Sequence, residues 1–313
     1  MTTTLTARSP EDLLAMVPVV LGFVPTDSIT MLTFGATRTF HARVDLPPPD
    51  EPVEEVVGSL CEPALRHGVR RVVFVLYTAD PLPAERVCRR LVRTFRAAGI
   101  EVIDVIRADG RRWFPMLHGR RAAGPAGTPY DVSSHRFAAQ AVVEGRVTHR
   151  SRTELADSLE TDAGRAALVE AAARDVRSAA DDPLWVRATV VRHAGAGTVP
   201  SDQEAARLLG AVDTGGVALA AVFAGVPRED AALHVALWTD LVRRAPEELV
   251  PAAASALALL AWLAGHGALA WCAVDRATAL EPEHELAGVV ADLLAGAVPP
   301  TDWDEMWAMP DPA

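Results

Sequence analysis

The chain has 313 residues, of which half are hydrophobic and 23% are charged, and its formal net charge is −11. This length favours two domains, and this composition argues against wholesale disorder. The sequence contains no lysine, which excludes a Walker-type phosphate loop, a Schiff-base mechanism, a Ser-Lys dyad and a kinase-type site.

Targeting and cysteine patterns point to a cytoplasmic protein. No window approaches the roughly eighteen uncharged apolar residues that a membrane helix needs, and the first residues lack the basic and apolar regions of an export signal. Cys61, Cys88 and Cys272 are odd in number and widely spaced, which fits neither a disulfide framework nor a zinc site. We therefore expect a cytoplasmic chain with no membrane partner.

The first elements are a helix and two strands. Ser9 and the proline and acidic residues after it are typical of a helix start, and Pro18 predicts where that helix ends. Residues 28–34 and 39–45 then read as two strands joined by a tight turn.

Helical and strand patterns alternate from there to residue 116. The apolar spacing predicts helices at 53–61, which Pro63 should end or kink, and at 84–95, and strands at 72–76, 100–106 and 112–116. This order predicts an α/β fold, a mixed sheet with a parallel centre and flanking helices.

Residues 119–129 are rich in Gly, Ala and Pro and mark a domain boundary. We predict an α/β domain over 1–128 and a helical-hairpin domain over 129–313. The second part is acidic, with 14 Arg against 27 Asp and Glu. Its patterns indicate capping boxes at Ser151 and Ser201, a loop at 194–200, helices at 227–244, 246–264 and 268–280, and a last helix from Pro282.

The carboxyl ends of parallel strands are where such sheets bind ligands. Carboxylates there could hold a hard cation or act as acid and base; the alternative is that they cap turns and satisfy loop amides. The candidate ligand-binding residues are Tyr77, Thr78, Asp80, Asp109, Asp27 and Asp45.

Other catalytic patterns are weak. The nine histidines show no metal-ligand spacing, so no metal site is predicted and no cofactor is indicated. Gly58-Ser59 lacks the pattern around a hydrolase serine, and residues 195–197 do not follow a strand as a dinucleotide loop would.

Two surfaces are candidates for partner binding. Arginines repeat along the helix at 84–95 and could grip phosphates or an acidic surface; the alternative is an ordinary solvated face. The aromatic, acidic C-terminus could anchor a partner or dock on its own domain. The candidate partner-binding residues are Arg86, Arg89, Arg93 and Arg96, with Arg90 beside them, and Trp303 and Trp307.

Several separated blocks resemble the actinobacterial family of domain of unknown function 4192. They are residues 9–14, 21–28, 42–47, 151–155 and 261–268, in the order that the family has them. The resemblance implies an actinobacterial source, and the family brings no established activity. More weakly, the spacing of Ala270, Ala277 and Pro282 is similar to one tetratricopeptide-type helical hairpin.

The leading hypothesis is therefore a non-enzymatic binding or adaptor protein whose helical domain presents a surface to a protein partner. The first alternative is an enzyme or binder of a small phosphate-bearing or nucleotide ligand at the strand ends. The second is contact with nucleic acid through the arginine face.

Overall fold

The computed structural model describes residues 7–35, 40–117, 126–143, 147–176, 182–224 and 226–303. The chain divides into two compact units, residues 1–151 and residues 152–313. This division lies later than the predicted boundary after residue 128, because a strand that includes residue 128 and a helix after it pack with the first unit. Independent folding of residues 1–128 stays a prediction.

The first unit is built on a mixed sheet. Its described strands are β1 (Ser28–Phe34), β2 (His41–Asp45), β3 (Arg71–Tyr77), β4 (Glu101–Ala108), β5 (Arg112–Pro115) and β6 (Thr128–Pro129). Their spatial order is β2-β1-β3-β4-β5-β6. The β3–β4 pair is parallel and its neighbours are antiparallel, which confirms the predicted mixed sheet with a parallel centre.

Helices cover both faces of this sheet. They are α1 (Pro10–Leu21), α2 (Val53–Arg66), α3 (Pro81–Ala97) and α4 (Arg136–Val143). Helices α2 and α3 pack on one face, where the rings of Phe74 and Phe95 meet edge to face at 4.9 Å, and α1 and α4 pack on the other. Because α3 carries the chain from the end of β3 to the start of β4, both strands end at the same edge of the sheet.

Helix α1 runs past Pro18, near which the sequence predicts its end, and α2 runs past Pro63, where the sequence predicts an end or a kink. A proline inside a helix costs about 3 kcal/mol, but Val17 and Val19 beside Pro18 are buried and offset that cost at about 1.5 to 3 kcal/mol each. Helix α1 ends instead at Gly22, which adopts the left-handed conformation (φ 78°).

The second unit is helical, which confirms the predicted fold class. Its described helices are α5 (Arg152–Asp157), α6 (Ala163–Ala173), α7 (Pro183–Ala196), α8 (Asp202–Asp213), α9 (Gly216–Phe223), α10 (Ala231–Arg244), α11 (Val250–Leu263), α12 (Gly267–Leu280) and α13 (Glu285–Ala295). The capping box at Ser201 is confirmed. The loop predicted at 194–200 begins later, since α7 runs to Ala196, and the last helix begins at Glu285 with His284 as its cap, after the predicted Pro282.

Helices α11 and α12 form the predicted hairpin. Every residue of α11 is buried, so this helix is the core of the second unit. Gly265 makes the turn with φ 79°, and Ala270 and Ala277 of α12 are fully buried. Small side chains at these positions allow the helix axes to approach closely.

No single helix in the described residues is long and apolar enough to cross a membrane. Helices α8 and α9 pass that test only when taken together, and they meet at a bend of 113°.

Candidate functional site

A cavity of about 250 Å³ lies at the carboxyl ends of β3 and β4 in the first unit. We call it the strand-end cavity. Three loops and two tyrosines form it: the loop before β1, the loop after β3, the turn after β4, Tyr77 at the end of β3, and Tyr130 beyond β6. Its lining residues are Val24, Pro25, Thr26, Asp27, Tyr77, Thr78, Ala79, Ala108, Asp109, Gly110 and Tyr130.

Backbone bonds and one buried arginine fix the loops around this cavity. The amide of Thr78 donates to the carbonyl of Ala108 at 3.0 Å, which ties the ends of the parallel strands together. The guanidinium of Arg107 is buried, donates to the carbonyls of Thr78 and Ala79 at 3.2 and 3.0 Å, and stacks 3.8 Å from the ring of Phe114. Arg107 therefore holds the loop after β3 and is not itself among the lining residues.

Asp109 lines the cavity and also caps a turn. One carboxylate oxygen accepts hydrogen bonds from the amides of Arg111 and Arg112 at 2.9 and 2.7 Å. Burial acts to raise the pKa of Asp109, but these two hydrogen bonds and the charges of Arg107 and Arg112 lower it below its ordinary value. The side chain is thus a carboxylate at neutral pH.

Asp27 stands at the opposite loop of the cavity. Its backbone has φ +40°, a region that few residues other than glycine occupy, although aspartate and asparagine tolerate it best. The carbonyl of Asp27 accepts from the amide of Leu46 at 2.9 Å. Within the part of the chain that the structure describes, its exposed carboxylate makes no hydrogen bond or ion pair. The carboxylate is therefore available to a ligand.

Three buried hydroxyl groups lie together on the α1 face of the sheet. Ser28 on β1 is the direct cross-strand partner of Tyr77 on β3, and Thr30 lies two residues further along the same face. The side-chain oxygens of all three are buried, and none has a hydrogen-bond partner among the described residues. Tyr77 lines the strand-end cavity, whereas Ser28 and Thr30 are not among its lining residues.

Tyr130 completes the cavity and was missed by sequence reasoning. The chain has two tyrosines, and both line this cavity. Burial and the neighbouring Tyr130 raise the pKa of Tyr77 well above its ordinary value; burial and the charge of Asp109 raise that of Tyr130. Both phenols are therefore neutral hydrogen-bonding groups. The sequence contains only these two tyrosines, and this rarity is the one signal that could have assigned Tyr130 to the same site as Tyr77.

Two of the predicted ligand-binding residues lie outside the cavity lining. Asp80 caps α3, where its carboxylate accepts from the amide of Leu82 at 2.9 Å. Asp45 is exposed and forms an ion pair with Arg43 at 2.7 Å. Of the predicted set, the cavity therefore brings together the other four residues. The described residues contain no group of three His, Cys, Asp or Glu side chains that could hold a metal ion.

The arginines of α3 divide into two sets. The guanidinium of Arg86 donates to the carbonyls of residues 47–49 and 51 and so fastens the loop before α2. Arg90 pairs with Glu54 at 3.2 Å. Arg89, Arg93 and Arg96 are exposed and form no ion pair within the described residues. These last three form what we call the α3 arginine stripe.

The two tryptophans of the C-terminus stand differently. Trp303 is buried, and its ring lies 6.2 Å from that of Trp262 in an edge-to-face contact. Trp303 therefore docks within its own unit, which is the alternative to its anchoring a partner. Trp307 lies outside the described residues.

A family model described as a domain of unknown function, DUF4192, matches residues 10–301. No curated protein and no solved structure matches the chain.

Proposed function

Because the chain belongs to the DUF4192 family, whose description carries no activity, we propose a function from the site itself: the first unit binds a small polar molecule in the strand-end cavity. The observation that carries this proposal is the position of the cavity, because open α/β sheets bind ligands beyond the carboxyl ends of their parallel strands. The Asp27 side chain, which has no hydrogen-bond or ion-pair partner among the described residues, belongs to a residue of the lining and is available to such a molecule.

The size of the cavity limits the ligand. A cavity of about 250 Å³ lies at the small end of the sites that hold small molecules, which run from about 300 to 1,000 Å³. The lining also offers no cation for a phosphate, since Arg107 lies behind the loop after β3 and is not a lining residue. The phosphate-bearing ligand stays a prediction that these residues do not favour.

We propose binding in preference to catalysis. No histidine or cysteine is among the described lining residues, so a hydroxyl or thiol nucleophile paired with a histidine base is lacking there. The ionisable lining groups are Asp27, Asp109 and two phenols, and the phenols have raised pKa values.

The two tyrosines supply a specific test. Full-length protein labelled with 3-fluorotyrosine should give two ¹⁹F resonances, and both report on this cavity. The protein-free, small-molecule fraction of a cell extract should move both resonances saturably. Ala79→Trp, which fills the cavity mouth, should abolish the shift, while Ala97→Trp on the exposed end of α3 should not. Resonances that no fraction moves would refute the proposal.

A second candidate function is docking of an acidic protein on the α3 arginine stripe. Three exposed arginines without ion pairs among the described residues favour it through charge complementarity. Changing Arg89, Arg93 and Arg96 to Glu should abolish capture of an acidic partner, and Arg187→Glu on α7 is the control. Binding to duplex DNA that weakens steeply with salt would assign the stripe to nucleic acid instead.

The adaptor hypothesis for the second unit is also a proposal. It is supported by the buried small residues of α12, Ala270 and Ala277, whose spacing in the sequence is similar to that of one tetratricopeptide-type hairpin. The actinobacterial source and the cytoplasmic location stay predictions of the sequence.

A further inference from the structure

Strand β2 forms one edge of the sheet, and no other described strand pairs with its outer side. The amide of Leu46 donates to the carbonyl of Asp27 at 2.9 Å, so these two residues are a hydrogen-bonded pair in the antiparallel register with β1. Such pairs alternate along the strands, so Val44 also bonds to β1, whereas the backbone groups of Arg43 and Asp45 face away from the sheet. Within the described part of the chain, the outward amides of Arg43 and Asp45 have no hydrogen-bond partner.

The core layer under α2 and α3 is incomplete at this edge. Ala42 and Val44 pack against that core but are only partly buried, and so is Leu46, which follows β2. Their neighbours on β1, Ile29 and Met31, are fully buried. A strand added to the edge would cover the outer side of the β2 side chains and continue the layer.

The charged residues of β2 do not block the edge, although charged side chains often protect edge strands from pairing. Arg43 and Asp45 lie on the face opposite to Val44, where they form an ion pair with each other. The Arg43 side chain is only 15% exposed, and its guanidinium lies over the ring of Phe23 at 5.9 Å from the centroid. Arg43 is therefore held against its own sheet, and the edge is open to a strand of complementary charge.

The order of residues in β2 makes this strand complementary to itself in an antiparallel pair. With Val44 on a two-fold axis, Arg43 of each copy lies opposite Asp45 of the other, and the two Val44 side chains face each other. Each pair of Arg43 and Asp45 exchanges both of its backbone hydrogen bonds, and the opposite charges favour this register. An axis at Arg43 would instead set two arginines opposite one another, which is unfavourable.

We propose that two copies of this chain associate through their β2 edges, antiparallel and across a two-fold axis at Val44, to form one continuous sheet. The interface uses no lining residue of the strand-end cavity and no residue of the α3 arginine stripe. A pair of short strands buries less surface than a permanent interface, so the dimer dissociates in the micromolar range.

A cysteine on the axis tests the register directly. Residues that face each other in a non-hydrogen-bonded pair have Cβ atoms about 4.5 Å apart, which is within reach of a disulfide bond. Val44→Cys in the full chain should therefore give a disulfide-linked dimer under mild oxidation, measured by non-reducing electrophoresis. Ala42→Cys is the matched control, because position 42 lies opposite Leu46 of the other copy, and it should stay unlinked. The three native cysteines are buried and should add little background.

Charge reversal tests the complementarity. Asp45→Arg sets arginines opposite one another in both pairs and should weaken the dimer about tenfold in sedimentation velocity. Arg43→Glu should weaken it likewise, and a mixture of these two variants should form a heterodimer, because each then meets the opposite charge. Asp50→Arg, at an exposed position beyond β2, is the control and should leave the dimer unchanged. Since the Asp45 side chain is 84% exposed, its variant should fold as the parent protein does, which circular dichroism measures.

Three outcomes would overturn the proposal. A chain that sediments as a monomer at all micromolar concentrations would leave the edge to another occupant, such as an extended peptide. A dimer that Asp45→Arg and Asp50→Arg affect equally would have its interface elsewhere. Linkage of Val44→Cys no faster than that of Ala42→Cys would exclude the axis at Val44. None of these outcomes bears on ligand binding in the strand-end cavity.

Discussion

At the residue scale, the candidate site is built where the parallel strands β3 and β4 end. Tyr77, Thr78 and Asp109 follow directly from the position of the parallel strands, because their carboxyl ends share one edge. Tyr130 could not be predicted, since it follows β6 and this two-residue strand is too short to show an alternating pattern in the sequence. The hydroxyl cluster could not be predicted either, because Ser28 and Tyr77 become neighbours only through the cross-strand register of β1 and β3.

The hydroxyl cluster gives a stability prediction with a matched control. Thr30→Val removes a buried hydroxyl that has no partner in the described structure, so ligand-free protein should gain about 1 kcal/mol in free energy of unfolding. Thr33→Val on the same strand removes a hydroxyl that donates to the carbonyl of Phe40, and should lose about 1 kcal/mol. Urea denaturation measures both. Equal losses would mean that the Thr30 hydroxyl has a partner.

His41 on β2 predicts a pH dependence of stability. Its Nδ1 accepts from the amide of Thr33 at 3.4 Å, and burial lowers the pKa of His41 from 6.5 to about 4. Between these values the unfolded chain binds more protons than the folded one. Stability is thus complete above pH 6.5 and falls towards pH 4, by up to about 3 kcal/mol.

Urea unfolding across that pH window, with His41→Gln as the comparison, measures the effect. The variant should lose less stability on acidification than the parent protein. It should retain some dependence, because burial also lowers the pKa of His234. Parallel curves for the two proteins would contradict the assignment to His41.

At the element scale, hydrophobic periodicity predicts a helix or strand well where one face of the element is buried. It predicts the first and last residues of the element less well. The helix now defined as α3 was the clearest prediction, since its buried residues repeat at three and four positions. The helix end predicted near Pro18 was wrong, because α1 runs on to Leu21 and tertiary burial outweighs the local cost of the proline. Helix α2 continues past Pro63, where an end or a kink was predicted. Strand β6 was missed because its two residues pair only through the sheet.

The hairpin of α11 and α12 predicts intolerance of bulk. Ala270→Leu places three extra carbons at a fully buried position and should lower the free energy of unfolding by about 1 to 3 kcal/mol. Ala279→Leu, on the exposed side of α12, is the control and should change it by less than about 0.5 kcal/mol. An unshifted urea midpoint for the Ala270 variant would show that the two helices do not pack there.

At the scale of the whole molecule, the charge is as uneven as the sequence indicates. Residues 129–313 carry 14 Arg against 27 Asp and Glu, while the described stripe of unpaired arginines lies on the first unit. The family match spans residues 10–301 and so includes both units. A function of the strand-end cavity therefore involves only the first of the two units that the family match includes.

The division between the units predicts how the chain responds to cutting. Cleavage near Arg120 or Arg121 stays the expected first event of limited proteolysis, since turn-forming residues cluster there. Residues beyond that point still supply β6, Tyr130 and α4 to the first unit. A cut chain should therefore stay associated in size-exclusion chromatography, although it separates under denaturing conditions.

Separate expression of two fragments decides between the boundaries. Residues 1–151 should unfold cooperatively, because they contain the complete sheet and both of its helical layers. Residues 1–128 lack α4, which buries Phe137 and Ala141 against the α1 face, and they lack Tyr130 of the cavity. That fragment should be less stable and should not shift its remaining fluorotyrosine resonance with ligand. Equal stability of the two fragments would favour the boundary at residue 128.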